Sequence, residues 1–260
     1  PYLCYQVRRG NGCGKTIIKE GDALKEVDVV VVGGGPAGLA AALVAASCTA
    51  HILVVDDGLQ PGGQLIKQTH KFFGSAEQFA GIRGIEIASN FIHEMKKTPN
   101  IEVLTQSTVT GYYEDGVLTI LEGLNGNKLI KVKPHRVIVA TGASENMLPF
   151  INNDLPGVYG AGAVQTLMNV YGVVPGKTVL MVGAGNIGLI VAYQLLQAGI
   201  EVKAIVEAMP CIGGYWVHAS KIRRLGVPIY TSCTLKEVRG IEKVEGATIC
   251  NIDQNFCFIH

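Results

Sequence analysis

Two short glycine-rich stretches carry the residue types from which a phosphate-binding site is built. The first, Gly33-Gly34-Gly35-Pro36-Ala37-Gly38, has GxGxxG spacing, and Asp56 follows 23 residues after Gly33 (56 − 33). The second, Gly183-Ala184-Gly185-Asn186-Ile187-Gly188, has the same spacing, and Glu207 follows 24 residues after Gly183 (207 − 183). In such a stretch the first glycine permits a tight turn, the second lets a pyrophosphate approach the backbone, and the third lets a helix pack closely on a strand. The start of that helix offers unpaired N–H groups and the positive end of its dipole to the phosphates. The carboxylate that ends the next strand accepts hydrogen bonds from ribose hydroxyls. Glu207 would repel a 2′-phosphate, and the residues after it, Ala208, Met209 and Pro210, include no arginine to receive one. The second stretch is therefore expected to take NAD(H) rather than NADP(H).

A loop after Asp56, "PGGQLIKQTHKFFGS" (residues 61–75), is the third candidate. Gly63 would let the backbone lie on a flat ring, and Gln64 can both donate to and accept from the ring's polar edge. Lys67, His70 and Lys71 would place positive charge beside an anionic ligand. The same three side chains also fit a solvated surface, and His70 is the one weighed for a catalytic role. Trp216 and His218, beyond the second acid, read as structural, and single histidines without ligating neighbours point to no metal site.

The elements that position these residues follow from the hydrophobic pattern. "VDVVVV" (residues 27–32) is a continuous run of strand formers, as in a parallel strand covered on both faces. A small-residue helix, "PAGLAAALVAAS", and a second strand, "HILVVDD", follow it. Ser75 and Gln78 make a capping box, and Phe79, Ile82, Ile85, Ala88, Phe91, Ile92 and Met95 recur at helical spacing. Residues 101–139 break into short strands with turns at "EDG" and "NGN", and "LPGVYGAGAVQTLMNVYG" reads as a connector and helix. The strand, glycine turn, helix and strand then recur from "KTVLMV" to "EVKAIVE", a second copy of a β-α-β unit.

Composition bounds the rest. The chain has 260 residues, 48% hydrophobic and 17% charged, with mean hydropathy +0.30. Its net charge is 22 − 21 = +1, which argues against nucleic acid as a partner. The apolar stretch at residues 29–47 is interrupted by Gly-Gly-Gly-Pro and is expected to be core rather than a membrane span. Seven scattered cysteines with no CxxC or zinc-finger spacing fit reduced thiols in a cytoplasmic protein. Residues 1–26 form an N-terminal extension of unassigned role. "RGNGCGKT" within it has Arg9 where a P-loop needs glycine.

Two nucleotide fingerprints with "ATGA" (residues 140–143) between them resemble the two-dinucleotide-binding flavoproteins of the pyridine nucleotide–disulfide oxidoreductase superfamily. "GGQL" (62–65) is similar to the ring-contacting loop of thioredoxin reductases. "LPGVYGAGAVQTL" is similar to flavoprotein subunits of amino-acid and opine dehydrogenases and of hydrogen cyanide synthase. The resemblance implies an α/β fold of two Rossmann-like (three-layer ββα) domains, the second inserted in the first. It implies FAD-binding residues 27–160 and NAD(H)-binding residues 161–260. FAD would be held by Gly33, Gly35, Pro36, Ala37, Gly38, Asp56, Gly63, Gln64, Leu65, Thr141 and Gly142. NAD would be held by Gly183, Gly185, Asn186, Ile187, Gly188 and Glu207.

The implied function is hydride transfer between NAD(H) and FAD, as the electron-transfer subunit of an amine or amino-acid dehydrogenase, with a partner subunit or as a homodimer. The alternatives are a thioredoxin-reductase-like enzyme with an external small-molecule or protein acceptor, and a non-catalytic nucleotide-binding fragment. Two departures qualify the resemblance. No redox cysteine pair is present, so disulfide reduction by the chain's own thiols is not expected. The Gly-Asp segment with which such flavin domains resume is also missing, so the resemblance implies a chain truncated at its C-terminus.

Overall fold

The computed structural model describes residues 24–48, 51–72, 74–123 and 128–259. The P-loop-like stretch, Cys4, Cys13 and the "NGN" turn lie outside them. The chain divides into two compact units. One takes in residues 24–64 and Ala88–Gly142, the other Leu65–Ile87 and residues 143–259. The division falls after Gly142, and the stretch that follows Gln64 belongs to the second unit.

In the first unit β1 (Lys25–Val32), β2 (Ile52–Val55), β3 (Ile101–Leu104), β4 (Ser107–Tyr112), β5 (Leu118–Glu122) and β6 (Lys128–Val139) form one sheet, ordered β3-β2-β1-β6-β5-β4. β3, β2, β1 and β6 run parallel, and β5 is antiparallel to both β6 and β4. The valine run of β1 works on both faces because successive side chains alternate. Val29 and Val31 pack with Leu39 and Ala42 of α1 (Pro36–Ala46) and Met95 of α2 (Gly84–Lys97). Val30 packs with Leu118, Ile120 and Val132 on the other side, and Val32 borders the same cluster. Burying both faces of a parallel sheet is what a continuous apolar strand requires.

The second unit holds α3 (Ala161–Asn169), β7 (Thr178–Val182), α4 (Asn186–Gln197), β8 (Glu201–Glu207), α5 (Trp216–Arg224) and β9 (Ile229–Thr231). β7, β8 and β9 form a parallel three-stranded sheet, and β10 (Cys233–Arg239) with β11 (Gly246–Asn251) forms an antiparallel pair. Its core joins Leu189, Val191 and Leu195 of α4 to Ile205 of β8 and Ile222 of α5. Among the described residues no helix is long and apolar enough to cross a membrane.

Two sequence expectations need correction. The helix expected from Phe79 begins only at Gly84. Phe79 has φ 61, Gly81 has φ 83, and the backbones of Phe72, Gly81 and Ile82 are hydrogen-bonded to one another, so the chain turns here instead of coiling. Ser75 starts only a three-residue 3₁₀ turn, and its hydroxyl bonds the Gln78 side chain rather than capping a helix. Secondly, "KLIKV" and "RVIVA" are one strand, β6, running through Pro134. Proline is tolerated because β5 ends opposite Val132, which leaves that edge of β6 without a ladder partner.

Candidate dinucleotide-binding sites

Both fingerprints fold into the same turn. At the end of each first strand a glycine takes positive φ, Gly33 at 106° and Gly183 at 99°. Its N–H donates to the last residues of the next strand, Gly33 to Val55 O and Gly183 to Val206 O, both at 2.8 Å. A side chain is strongly disfavoured in that conformation. Gly35 and Gly185 then cap α1 and α4 in extended conformations (φ −74, ψ −179 and φ −72, ψ 178) without any side-chain cap. A Cβ built on either meets nothing within 4 Å, so both helix N-termini are open to an approaching group. Pro36 starts α1, where its missing N–H costs nothing, and Asn186 starts α4. Ala37 and Ile187 sit one residue further along each helix, and Gly38 and Gly188 face the carbonyls of Gly33 and Gly183, closing each helix onto its strand.

The acids tie each turn together. Asp56 Oδ2 accepts from Gly34 N at 2.6 Å and Oδ1 from Gly58 N at 2.9 Å. Glu207 Oε2 accepts from Ala184 N at 2.7 Å and Oε1 from Met209 N at 2.9 Å. Each carboxylate oxygen keeps a further lone pair, so both acids remain able to accept from a ribose diol while holding their loop. At the first site the crossover also closes in. Ala140 N donates to Val32 O at 2.8 Å, and a Cβ on Gly33 would stand 2.3 Å from Ala140 O. Thr141 and Gly142 follow as exposed chain without regular structure, Gly142 at a positive φ of 72.

Gly62 N donates to Gly34 O at 2.7 Å, and Gly63, at φ 51, opens a 3₁₀ turn through Lys67 in which Gln64 is exposed and Leu65 buried. Beyond Gln64, Lys67 and its neighbours bond to residues of the second unit. Lys67 Nζ donates to Gly162 O at 3.2 Å, and Asn169 Nδ2 donates to Lys67 O at 2.6 Å, both on α3. Thr69 accepts from Gln194 of α4, whose Oε1 takes the buried Gln165 amide at 2.9 Å. Burial holds the Lys67 amine below its ordinary value, against the pull of Glu145. His70 stacks on Phe72 at 5.1 Å, and its buried Nδ1 has no partner among the described residues. Burial, with the charges of His218 and Lys221, lowers its proton affinity. The structure thus brings Lys67 and His70 to the second unit, where α3 is capped by Glu145, which accepts from Ala161 N at 2.8 Å and Gly162 N at 3.0 Å.

Sequence reading missed one part of the second site. Residues 208–215 fold back over α4, with Gly214 N donating to Ala184 O at 2.9 Å. The signal was present, since a glycine pair follows each acid by six residues (62 − 56 and 213 − 207). The cysteines do not form a relay among the described residues: Cys48, Cys211, Cys233, Cys250 and Cys257 are all free, and burial raises the Cys233 thiol above its ordinary value. No group of three or more potential metal ligands occurs among the described residues.

Paired open helix N-termini, each with an acid-tethered glycine turn, define an α/β protein of the Rossmann type. A family model, pyridine nucleotide-disulphide oxidoreductase, matches residues 27–256, and the chain belongs to that family. It is 34% identical over 255 residues to the alpha subunit of sarcosine oxidase from Rhizobium meliloti, covering 92% of this chain and 25% of that protein. It is 30% identical over 188 residues to the opine oxidase A-subunit of Agrobacterium tumefaciens, covering 69% of this chain and 36% of the relative. Thioredoxin reductase of T. acidophilum has the same fold, with a TM-score of 0.68 at 22% identity over 87% of this chain and 71% of that one.

Proposed function

We propose that the chain is the nucleotide-binding, electron-transferring part of a flavin-dependent oxidoreductase, with FAD at the first site and NAD(H) at the second. The observation that supports this reading most is the repetition of one open, acid-tethered glycine cradle in a single chain. Both cradles fit a dinucleotide, because a Cβ at Gly35 or Gly185 would occupy the space through which a pyrophosphate reaches the helix N–H groups. When bound, the flavin supplies the ability to accept a hydride from reduced nicotinamide and pass electrons on.

The chain's own residues bind and orient. The first turns of α1 and α4 hold phosphates, and Asp56 and Glu207 receive ribose hydroxyls. Glu207 turns away a 2′-phosphate by charge, which favours NAD(H). Gly63 and Gln64 present backbone and amide to a ring, and Thr141 and Gly142 bound the first site on its other side. Hydride transfer needs no protein base. Two relatives are named as oxidase subunits, and the chain spans 25% and 36% of their lengths. Work with a partner subunit on an amine or amino acid is accordingly part of the proposal.

The test is visible absorbance after incubation with FAD, followed by anaerobic titration with NADH and NADPH. Bound flavin that NADH bleaches before NADPH supports the reading. A chain that stays colourless sinks it, and bleaching by NADPH in preference overturns the role given to Glu207.

A further inference from the structure

The two sites agree beyond their fingerprints, and the place where they differ is informative. In each, the loop after the acid returns over the first turn of the helix. A Cβ on Gly63 would stand 2.8 Å from Gly35 Cα, and one on Gly214 would stand 2.9 Å from the Gly185 carbonyl carbon. Only glycine lets one backbone pass that closely over another. The next residue is therefore delivered beside the open helix N-terminus, Gln64 in the first unit and Tyr215 in the second.

The second loop carries an anchor that the first lacks. Tyr215 N donates to Asn186 Oδ1 at 2.7 Å, and the corresponding first-site residue, Pro36, has no side-chain acceptor. Tyr215 is thus fixed by its backbone to the first residue of α4, with 58% of its surface exposed. A dinucleotide laid with one ribose on Glu207 and its pyrophosphate on α4 carries its second ring beyond the pyrophosphate. An aromatic residue held beside that helix end offers a face on which such a ring can stack.

We propose that Tyr215 is a ring-contacting residue of the second site, its phenol lying against the nicotinamide of bound NAD(H). The inference rests on the reading of that site as an NAD(H) site. The loop at residues 208–215 closes over the pyrophosphate, and the tyrosine gives the site affinity for the nicotinamide half over and above the ADP-ribose half.

Calorimetric titration of the 260-residue chain with NADH and with ADP-ribose tests it, using wild type, Tyr215→Phe and Tyr215→Ala. Tyr215→Ala is expected to weaken NADH binding roughly ten-fold while changing ADP-ribose binding less than about two-fold. Tyr215→Phe, which keeps the ring, is expected to bind both probes as wild type does. Trp216 is the only tryptophan in the chain, and its emission should be quenched more by NADH than by ADP-ribose. Equal loss of both probes in Tyr215→Ala, or no loss of NADH, would overturn the stacking role. A wild-type chain that binds neither probe would overturn the NAD(H) reading itself and the inference with it.

Discussion

Gly185→Ala separates binding from folding more cleanly than any other substitution at these sites. Gly185 caps α4 at φ −72 and ψ 178, extended backbone that any residue adopts, and an added Cβ meets no heavy atom within 4 Å. Alanine is a poorer cap than glycine by about 0.5–1 kcal/mol, and restricting the unfolded chain returns a similar amount. The thermal midpoint should therefore move by less than about 2 °C. The methyl group instead fills the approach to the helix N–H groups. Losing one charge-assisted hydrogen bond to phosphate, about 1.5–3 kcal/mol, corresponds to roughly ten- to hundred-fold weaker NADH binding. Calorimetric titration gives the affinity and scanning fluorimetry the midpoint. Flavin uptake at the first site should be unaffected, and Gly35→Ala should show the reverse pattern. Unchanged NADH affinity in Gly185→Ala, or a midpoint lowered by more than about 5 °C, would refute the reasoning.

Asp56→Asn turns an amide N–H₂ toward one of two backbone donors that the carboxylate now satisfies, and should cost about 1–3 kcal/mol in urea unfolding. Glu145→Ala removes the cap of α3 and should cost about 1 kcal/mol, part of it screened away in high salt, as read from urea midpoints. His70 lies below its ordinary value of 6.5 through burial, His218 and Lys221, so below that pH the unfolded chain takes up a proton that the folded chain refuses. Stability is then full above about pH 6.5 and falls as pH drops beneath it, and His70→Gln should flatten that fall in urea titrations carried below about pH 6.5.

The parts legible in the sequence were those whose residue type is forced by backbone geometry. Gly33 and Gly183 need positive φ, and the valines of β1 need cover on both faces, so spacing and composition announced them. The parts that escaped depend on partners distant in the chain. Apolar spacing from Phe79 to Ile82 looked helical, yet Phe72 claims that backbone for a turn. Pro134 looked like a break, and only the end of β5 at Leu118 explains why β6 passes through it. Lys67 and His70 looked available to the first site, and nothing local tells that Gly162, Gln194 and Asn169 hold their segment.

The attachment of residues 65–87 to the second unit has a consequence for synthesis. The bond between Gln194 and Thr69 spans 125 residues of chain. At about 5–20 residues per second, Thr69 leaves the ribosome roughly 6–25 s before the helix that will receive it. During that interval Lys67 and Thr69 lack the partners on α3 and α4 that will hold them, while the strands on either side of the segment are already able to pair. The waiting segment is where a chaperone or a protease would find the nascent chain, and slowing translation between Gly142 and Gln194 should lengthen that exposure without altering a single residue of the finished protein.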